Sequence, residues 1–240
     1  MRVIICDNYE QMSKEAAKII AAQVFMKPDC VLGLATGSTP VGAYKELIDM
    51  YKNGEIDFKD VTTFNLDEYY PIKRSNDQSY YYFMHDNLFN HINVPGERIH
   101  VLNGEATDAE KECADYDKHI EEHGGIDLQL LGIGRNGHIA FNEPDTDLVS
   151  GTHVTALTED TIDANARFFA DIKDVPTKSL TMGMASIMKS RKILILINGK
   201  GKSTALKKLL SGEISTACPA TMLNMHNDVI VICDKEAYEG

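Results

Sequence analysis

Residues 126–144 contain the side chains best suited to chemistry. The stretch begins as an apolar run typical of a buried strand and continues into a loop with three glycines within six residues. Glycine allows φ > 0 and close approach of the backbone to a ligand. His138 lies in this loop, and an imidazole that titrates near neutral pH could transfer protons. The alternative is a structural histidine, although the glycines leave little side-chain bulk to bury the ring.

Two polar neighbours accompany His138 in this loop. Asn136 precedes it, and Glu143 follows it directly before Pro144. A proline disfavours helical backbone at the residue before it, so Glu143 is expected in an extended segment. An open α/β sheet places its chemistry in such loops, beyond the carboxyl ends of its strands. The loop is therefore predicted to be a proton-transfer site.

A second polar loop contains Thr36, Gly37 and Ser38 and precedes a helix with Pro40 in its first turn. Backbone N–H groups and the helix dipole at such a start favour an anion. The alternative is a plain helix cap, because Ser and Thr are the usual cap residues. The residues alone do not decide between the two. The loop lacks the lysine of a Walker motif, so a nucleoside triphosphate is not expected.

A third candidate is Asp67, which follows an apolar strand predicted at 61–66. A carboxylate at the end of a strand can be partly desolvated and act as a base; the alternative is a solvated acid or a cap. Arg167 and Lys202 are candidate counter-charges for an anionic ligand, although most such cations are merely solvated. Loops that follow parallel strands lie at one edge of a sheet, so these groups could converge on one pocket.

The elements that must position these groups alternate between strand and helix along the whole chain. A capping box of Asp7 and Glu10 is expected to start the first helix. The alternation predicts an α/β fold with a largely parallel sheet. No linker or repeat divides the chain, so residues 1–240 are expected to form one domain, with a candidate mobile lid at about 150–180. The first helix is predicted to end at about 26, and further helices are predicted at about 40–48, 79–92, 108–123, 159–169 and 202–210. Strands are predicted at about 3–6, 30–35, 61–66, 98–102, 126–133, 192–197 and 229–233. Residues 180–190 are predicted to form a strand edge that runs into a short helix.

Composition argues against several kinds of partner. The formal net charge of −12 opposes binding to nucleic acid or to an anionic membrane. No apolar stretch approaches the ~18 residues of a membrane span, and no signal peptide is visible. Five cysteines without close paired spacing indicate a reducing compartment, and we expect a cytoplasmic protein. The sequence contains no HExxH or CxxC spacing, so no metal site is expected.

Taken together, these blocks resemble the glucosamine-6-phosphate deaminase family. The string Gly-His-Ile-Ala-Phe-Asn-Glu-Pro at 137–144 is highly specific, and the similarity spans nearly the whole chain in the family's order. The related phosphogluconolactonases share a Gly-His step and diverge after it. The blocks that carry the resemblance are residues 35–40, 64–69, 132–144 and 165–169.

The resemblance implies a Rossmann-like three-layer α/β sandwich that converts glucosamine 6-phosphate and water to fructose 6-phosphate and ammonia. It implies that His138, with Glu143 beside it, opens the pyranose ring, and that Asp67 moves the C2 proton towards C1. No metal, pyridoxal or nicotinamide is implied. The residues implied to hold the phosphate are Thr36, Gly37, Ser38, Arg167 and Lys202.

The sequence departs from the family at a few positions. Asn136 stands where many members have aspartate, and its carbonyl is expected to accept a hydrogen bond from His138 and fix its tautomer. Allosteric hexameric members carry basic residues for an activator phosphate where this chain has His153 and Thr155. This difference predicts no activation by N-acetylglucosamine 6-phosphate.

Two other functions remain as alternatives at this stage. A lactonase-like sugar-phosphate hydrolase would release no ammonia. A non-catalytic sugar-phosphate sensor would need a DNA-binding segment, and no basic helix-turn-helix pattern is visible. The sequence does not indicate the oligomeric state.

Overall fold

The computed structural model describes residues 1–158, 162, 171 and 175–240. Within these residues ten strands form two sheets. The strands are β1 Arg2–Cys6, β2 Val31–Leu34, β3 Thr62–Asn65, β4 Asp67–Tyr70, β5 Ile99–His100, β6 Leu128–Leu131, β7 His153–Ala156, β8 Lys178–Thr181, β9 Lys192–Ile197 and β10 Val229–Asp234. The α-helices are α1 Tyr9–Met26, α2 Ser38–Lys52, α3 Tyr80–Asn87, α4 Ala109–Glu122, α5 Met184–Met188, α6 Ser203–Leu210 and α7 Lys235–Glu239. Short 3₁₀ segments are Phe89–His91, Gly96–Arg98, Lys200–Lys202 and Pro219–Met225.

The larger sheet has seven strands in the order β1-β10-β9-β6-β2-β3-β5, and each neighbouring pair is parallel. Its central strands are apolar runs such as Lys-Ile-Leu-Ile-Leu-Ile in β9, and they are almost wholly buried. A parallel sheet covered by helices requires such continuous apolar strands, because water reaches neither face. The predicted α/β fold with a largely parallel sheet is confirmed.

The predicted helix start at Asp7 is wrong by one residue. Asn8 has extended backbone and is the N-cap of α1, where its side chain accepts the Gln11 N–H at 2.9 Å. Asp7 instead pairs with Lys235 at 2.5 Å. The helix buries an apolar face that includes Met12, Ala16 and Ile20, and it packs against α2 and β10. The other helices and strands predicted within the described residues are present with shifted ends.

Asp67 lies in a strand rather than in the loop that the sequence predicted. β4 pairs antiparallel with β8, and β8 pairs antiparallel with β7, which gives a second, three-stranded sheet. β4 forms because a partner strand far along the chain supplies its hydrogen bonds, and no local pattern of residues indicates this. Residues 153–156, which the sequence left unassigned, form the outer strand β7 for the same reason.

The carboxyl ends of β9, β6, β2 and β3 lie side by side at one rim of the larger sheet. The loops with Thr36 and with His138 leave from this rim, as expected from the parallel topology, and β4, which carries Asp67, follows the end of β3 after one intervening residue at the same rim. The helix predicted at 159–169, Arg167 within it and much of the candidate lid at 150–180 lie outside the described residues. Among the helices that the structure describes, none combines the length and apolar character needed to cross a membrane.

Candidate active site

The glycine loop after β6 places His138 against Glu143. Nδ1 of His138 lies 3.1 Å from Oε1 of Glu143, and the two side chains are 28% and 12% exposed. The atoms are close but not aligned for a hydrogen bond, so the contact in this conformation is electrostatic. Because Glu143 lies at Nδ1, Nε2 is the nitrogen left for a substrate.

Asn136 supports this pair differently from the sequence expectation. Its Oδ1 accepts the backbone N–H of His138 at 3.2 Å, and its Nδ2 donates to Oε2 of Glu143 at 2.6 Å. The expectation that Asn136 accepts from the ring and fixes the tautomer is therefore wrong. An Asn side chain two residues ahead reaches the backbone of its neighbour readily, as in an Asx turn. Glu143 is the partner of the ring, and Asn136 holds Glu143.

Close contacts within this loop explain one of its glycines. A Cβ on Gly134 would lie 2.3 Å from Cε1 of His138, so the ring packs directly over bare backbone. The Gly134 N–H also donates to the His138 carbonyl at 2.9 Å, which closes the loop. Ala140 has φ of 51°, the left-handed region that a non-glycine residue adopts at a cost. No residue pattern predicts this strained position.

Asp67 is a buried acid with a raised pKa. Its side chain is almost fully covered, and burial, followed by the neighbouring charge of Glu68, raises the pKa of Asp67 to about 8. No hydrogen-bond donor among the described residues offsets this burial. A carboxyl group of this kind is a base of suitable strength for proton transfer near neutral pH.

Glu68 has a structural task in the same strand. Its carboxylate accepts the backbone N–H groups of Tyr69, Tyr80 and Tyr81 at 2.8–2.9 Å, and so it caps the start of α3. Burial raises the pKa of Glu68 to about 7, and these hydrogen bonds lower it in part. Of the two adjacent acids, Glu68 is therefore occupied in holding α3, and Asp67 is the candidate base.

Two consecutive residues join Asp67 to the glycine loop. Thr181 pairs with Asp67 across the smaller sheet, and its Oγ1 accepts the Phe141 N–H at 3.1 Å. The next residue, Met182, donates its N–H to the Leu66 carbonyl at 2.8 Å. Thr181 and Met182 thereby fix the strand of the base and the loop of the imidazole to each other. No local pattern of residues predicts this connection.

The loop after β2 presents a helix start without a side-chain cap. Gly37, with φ of 91°, occupies the N-cap position of α2, and no side chain accepts a hydrogen bond from the first turn. Gly37 and Ser38 are exposed, whereas Thr39 donates to Asn198 at 2.7 Å. This arrangement favours the anion site over the plain cap, because the first N–H groups of α2 lack a side-chain acceptor.

Lys202 lies at the same rim and is anchored to the start of the loop after β6. Its Nζ donates to the Ile133 carbonyl at 2.6 Å. Burial lowers the pKa of Lys202, and the nearby charge of Arg135 lowers it further. Two neighbouring cations in an acidic protein favour an anionic ligand. Arg135 was not among the counter-charges predicted from the sequence. Its position in the glycine loop was the feature that could have indicated it.

Comparisons with known proteins identify the family of the chain. The family described as Glucosamine-6-phosphate isomerases/6-phosphogluconolactonase matches residues 7–232. A glucosamine-6-phosphate deaminase of Thermoanaerobacter sp. (strain X514) is 57% identical over 237 residues, which cover 99% of this chain and 94% of the relative. The protein of the same name in Clostridium botulinum (strain Loch Maree / Type A3) is 55% identical, with coverage of 99% and 97%.

Solved structures share this fold at high and at low sequence identity. A monomeric glucosamine-6-phosphate deaminase superposes with a TM-score of 0.97 at 48% identity and covers 100% of this chain and 99% of its own. A 6-phosphogluconolactonase from Trypanosoma cruzi superposes with a TM-score of 0.82 at 20% identity, over 100% and 96% of the two chains, and so shares the fold. The chain belongs to the glucosamine-6-phosphate deaminase family.

Proposed function

We propose that the chain converts glucosamine 6-phosphate and water to fructose 6-phosphate and ammonia at the rim of its parallel sheet. Membership of the family makes the chain a glucosamine-6-phosphate deaminase. The assignment of roles depends mainly on one observation: a buried acid of raised pKa, Asp67, and the His138–Glu143 pair are fixed to each other through Thr181 and Met182.

His138 opens the sugar ring in this proposal. A proton leaves the anomeric hydroxyl, the ring oxygen gains one, and the bond from C1 to the ring oxygen breaks to give the open aldehyde. One imidazole can take and return a proton near neutral pH. Glu143, 3.1 Å from Nδ1, orients the ring, and Asn136 holds Glu143 by the 2.6 Å hydrogen bond.

Asp67 performs the isomerisation. It removes the C2 proton, which gives an enol-type intermediate, and a proton is then delivered to C1. The amine nitrogen at C2 becomes an imine, water adds to C2, and the carbon–nitrogen bond breaks to release ammonia and leave the ketone. The substrate's ammonium group would favour the ionised form of Asp67 when it binds, because an opposite charge lowers the pKa of a buried acid.

The phosphate lies at the start of α2 in this arrangement. The backbone of Thr36, Gly37 and Ser38 provides N–H groups at the positive end of the helix, and Lys202 provides a charge. Arg167 has the same role by resemblance, and it stays a prediction because it lies outside the described residues. A phosphate held away from the reacting carbons supplies binding energy that positions C1 and C2.

Location and assembly also remain proposals. All five cysteines are free and buried, which supports work in the reducing cytoplasm. The solved relative at 48% identity is described as monomeric, and this supports a monomer here. A lactonase of the same fold is the remaining alternative function, and the product distinguishes it from a deaminase because a lactonase releases no ammonia.

An ammonia-release assay with glucosamine 6-phosphate tests the proposal. Wild-type protein should release ammonia and fructose 6-phosphate in equal amounts. Asp67→Asn should lose at least about 100-fold in kcat, a usual loss for a general base, while the exposed Asp86→Asn should match wild type. Sugar turnover without ammonia would exclude the deaminase reaction, and an active Asp67→Asn would remove the role of Asp67 alone.

A further inference from the structure

Three histidines that the deaminase chemistry does not use lie together between β5 and α4. His100 belongs to β5, His119 lies in the last turn of α4, and His123 follows that helix. One ring nitrogen from each lies within 4.8 Å of those of the other two, and the ring centroids are 4.5–5.3 Å apart. Imidazoles so close together repel one another when protonated, so the cluster needs a physical explanation.

The two helical histidines have the arrangement of a chelating pair. His119 and His123 are four residues apart, so they share one face of the helix. Nδ1 of His123 lies 2.9 Å from the His119 carbonyl, and because a carbonyl only accepts, this nitrogen carries the proton and Nε2 keeps its lone pair. Nδ1 of His119 faces a carboxylate oxygen of Glu122 at 3.7 Å. Metal-binding histidines usually donate their second ring N–H to a backbone carbonyl or a carboxylate, and His123 does so here.

His100 supplies the observation that packing alone does not explain. Its Nε2 is buried, and no partner among the described residues forms a hydrogen bond with it. Phe64 stacks on the ring with centroids 4.6 Å apart, which accounts for the ring's position but not for its unpaired nitrogen. A buried polar atom without a partner costs about 1–3 kcal/mol. A ligand that accepts this lone pair would remove that cost.

We propose that His100, His119 and His123 bind one divalent transition-metal ion, with Zn²⁺ as the first candidate. Imidazole nitrogens suit zinc, copper and nickel, and they do not suit magnesium or calcium. Tetrahedral zinc with Zn–N of about 2.0–2.1 Å requires nitrogens roughly 3.3 Å apart. The ring nitrogens, which lie within 4.8 Å of one another, must therefore approach by up to about 1.5 Å, and the exposed position of His123 allows such a shift.

The surroundings offer access and a fourth ligand. A cavity of about 320 Å³ is lined by His100 and His119, together with the acids Glu112 and Asp115. A water molecule can reach the ion from this side and serve as the fourth ligand. Bound metal would join α4 to β5, which is the edge strand beside β3, so we expect it to stabilise the fold rather than take part in deamination.

Titration of the full-length, chelator-treated protein with Zn²⁺ tests the site. We expect binding of one equivalent by calorimetry and a rise in thermal midpoint that grows with the zinc concentration. Co²⁺ should give visible absorption bands of a nitrogen-ligated ion. His123→Gln and His119→Gln should each weaken binding by at least about tenfold, a loss seen even for outer partners of metal ligands. The exposed His91→Gln, away from the cluster, should bind as wild type does.

Folding of the variants is checked without metal. His123 is exposed, so His123→Gln should keep the metal-free thermal midpoint and the rate of ammonia release. Absence of one-equivalent binding to wild type would overturn the proposal. Equal binding by wild type and a His119→Gln/His123→Gln double variant would also overturn it, because the ion would then lie at another site such as a cysteine.

Discussion

At the level of single residues, Asp67 shows that the position proposed for the catalytic base is costly to the folded state. Its carboxyl group is buried beside a second acid, and no donor among the described residues compensates for the lost water. The same burial raises its pKa to about 8 and makes it a suitable base. A group selected for stability alone would be apolar or hydrogen-bonded here.

This cost predicts a pH-dependent effect of Asp67→Asn on stability. The folded chain keeps the Asp67 proton up to about pH 8, whereas the unfolded chain releases it near the ordinary value of 3.8. The unfolded state thus binds fewer protons in this window, and wild-type stability falls as the pH rises through it. Asn does not titrate. As the pH rises through this window, the free energy of unfolding of the variant should therefore increase relative to that of wild type, by on the order of a few kcal/mol.

Thermal or chemical unfolding at several pH values between about 5 and about 9 measures this difference. Asp86→Asn, an exposed change on α3, serves as the control and should show a constant offset. A difference between Asp67→Asn and wild type that shrinks as the pH rises would contradict the raised pKa. The variant should be inactive throughout, which separates stability from catalysis.

Lys202 and Lys200 allow a matched comparison of two substitutions at the proposed phosphate site. Both belong to the 3₁₀ segment Lys200–Lys202, but Lys200 is exposed and Lys202 is anchored to the Ile133 carbonyl. Lys202→Ala should raise KM about 10- to 100-fold with kcat within about twofold, because a charged hydrogen bond to the phosphate acts mainly on binding. Lys200→Ala should leave both constants near wild type.

Steady-state kinetics of ammonia release checks the lysine pair. A fall in kcat alone for Lys202→Ala would assign the lysine to the chemical step instead. Equal effects of the two substitutions would remove the distinction between an anchored and a solvated cation.

Residue types were enough to select the candidate site residues, but not to predict the contacts between them. His138 and Glu143 were identified because glycines and a proline surround them, and the structure places them in contact. The partner of the ring was predicted incorrectly as Asn136, since loop conformation decides which oxygen faces Nδ1. The spacing of His119 and His123 was visible, but the third histidine comes from another element and only the fold brings it near.

At the level of elements, the glycine loop permits a sharp comparison. A methyl group on Gly134 would lie 2.3–2.5 Å from three atoms of the His138 ring, whereas one on Gly132 meets nothing within 4 Å. Gly134→Ala should displace the ring and lower kcat about 10- to 100-fold, the usual cost of misplacing a catalytic group by about 1 Å. Gly132→Ala should keep wild-type kinetics.

Kinetics and thermal midpoints of both variants check the loop. A fully active Gly134→Ala would mean that the observed ring position is not the working one. A loss of activity in Gly132→Ala similar to that in Gly134→Ala would show that any added bulk disturbs the loop, whatever its contact with the ring.

The strands show which elements a sequence can predict. β9 and β10 are apolar runs buried on both faces, so their residues alone indicate them. β4 contains two acids and two tyrosines and was assigned to a loop, because its pairing with β8 depends on residues far along the chain. The elements that carry Asp67 were therefore the ones that local patterns could not predict.

At the level of the whole molecule, the parallel sheet brings together residues that are distant in sequence. The ends of β2, β6 and β9 position the anion site, the imidazole and Lys202 at one rim. The smaller sheet carries Asp67, the proposed base, and Thr181 of the same sheet joins it to the glycine loop. The topology follows from the alternation of helices and strands, so the gathering of the site was predictable although its contacts were not.

The outer strand of the smaller sheet, β7, leads to a prediction about regulation. β7 carries His153 and Thr155 where allosteric hexameric members are expected to have basic residues. His153 contacts the Gly151 carbonyl at 3.0 Å through Nδ1, and Thr155 is neutral, so this strand offers no fixed positive charge for a second phosphate. We therefore expect hyperbolic dependence of rate on glucosamine 6-phosphate, unchanged by N-acetylglucosamine 6-phosphate. Initial rates over a range of substrate, with and without that compound, check this expectation. A sigmoid curve that becomes hyperbolic when the compound is added would show an activator site and coupled subunits, contrary to the monomer proposed here.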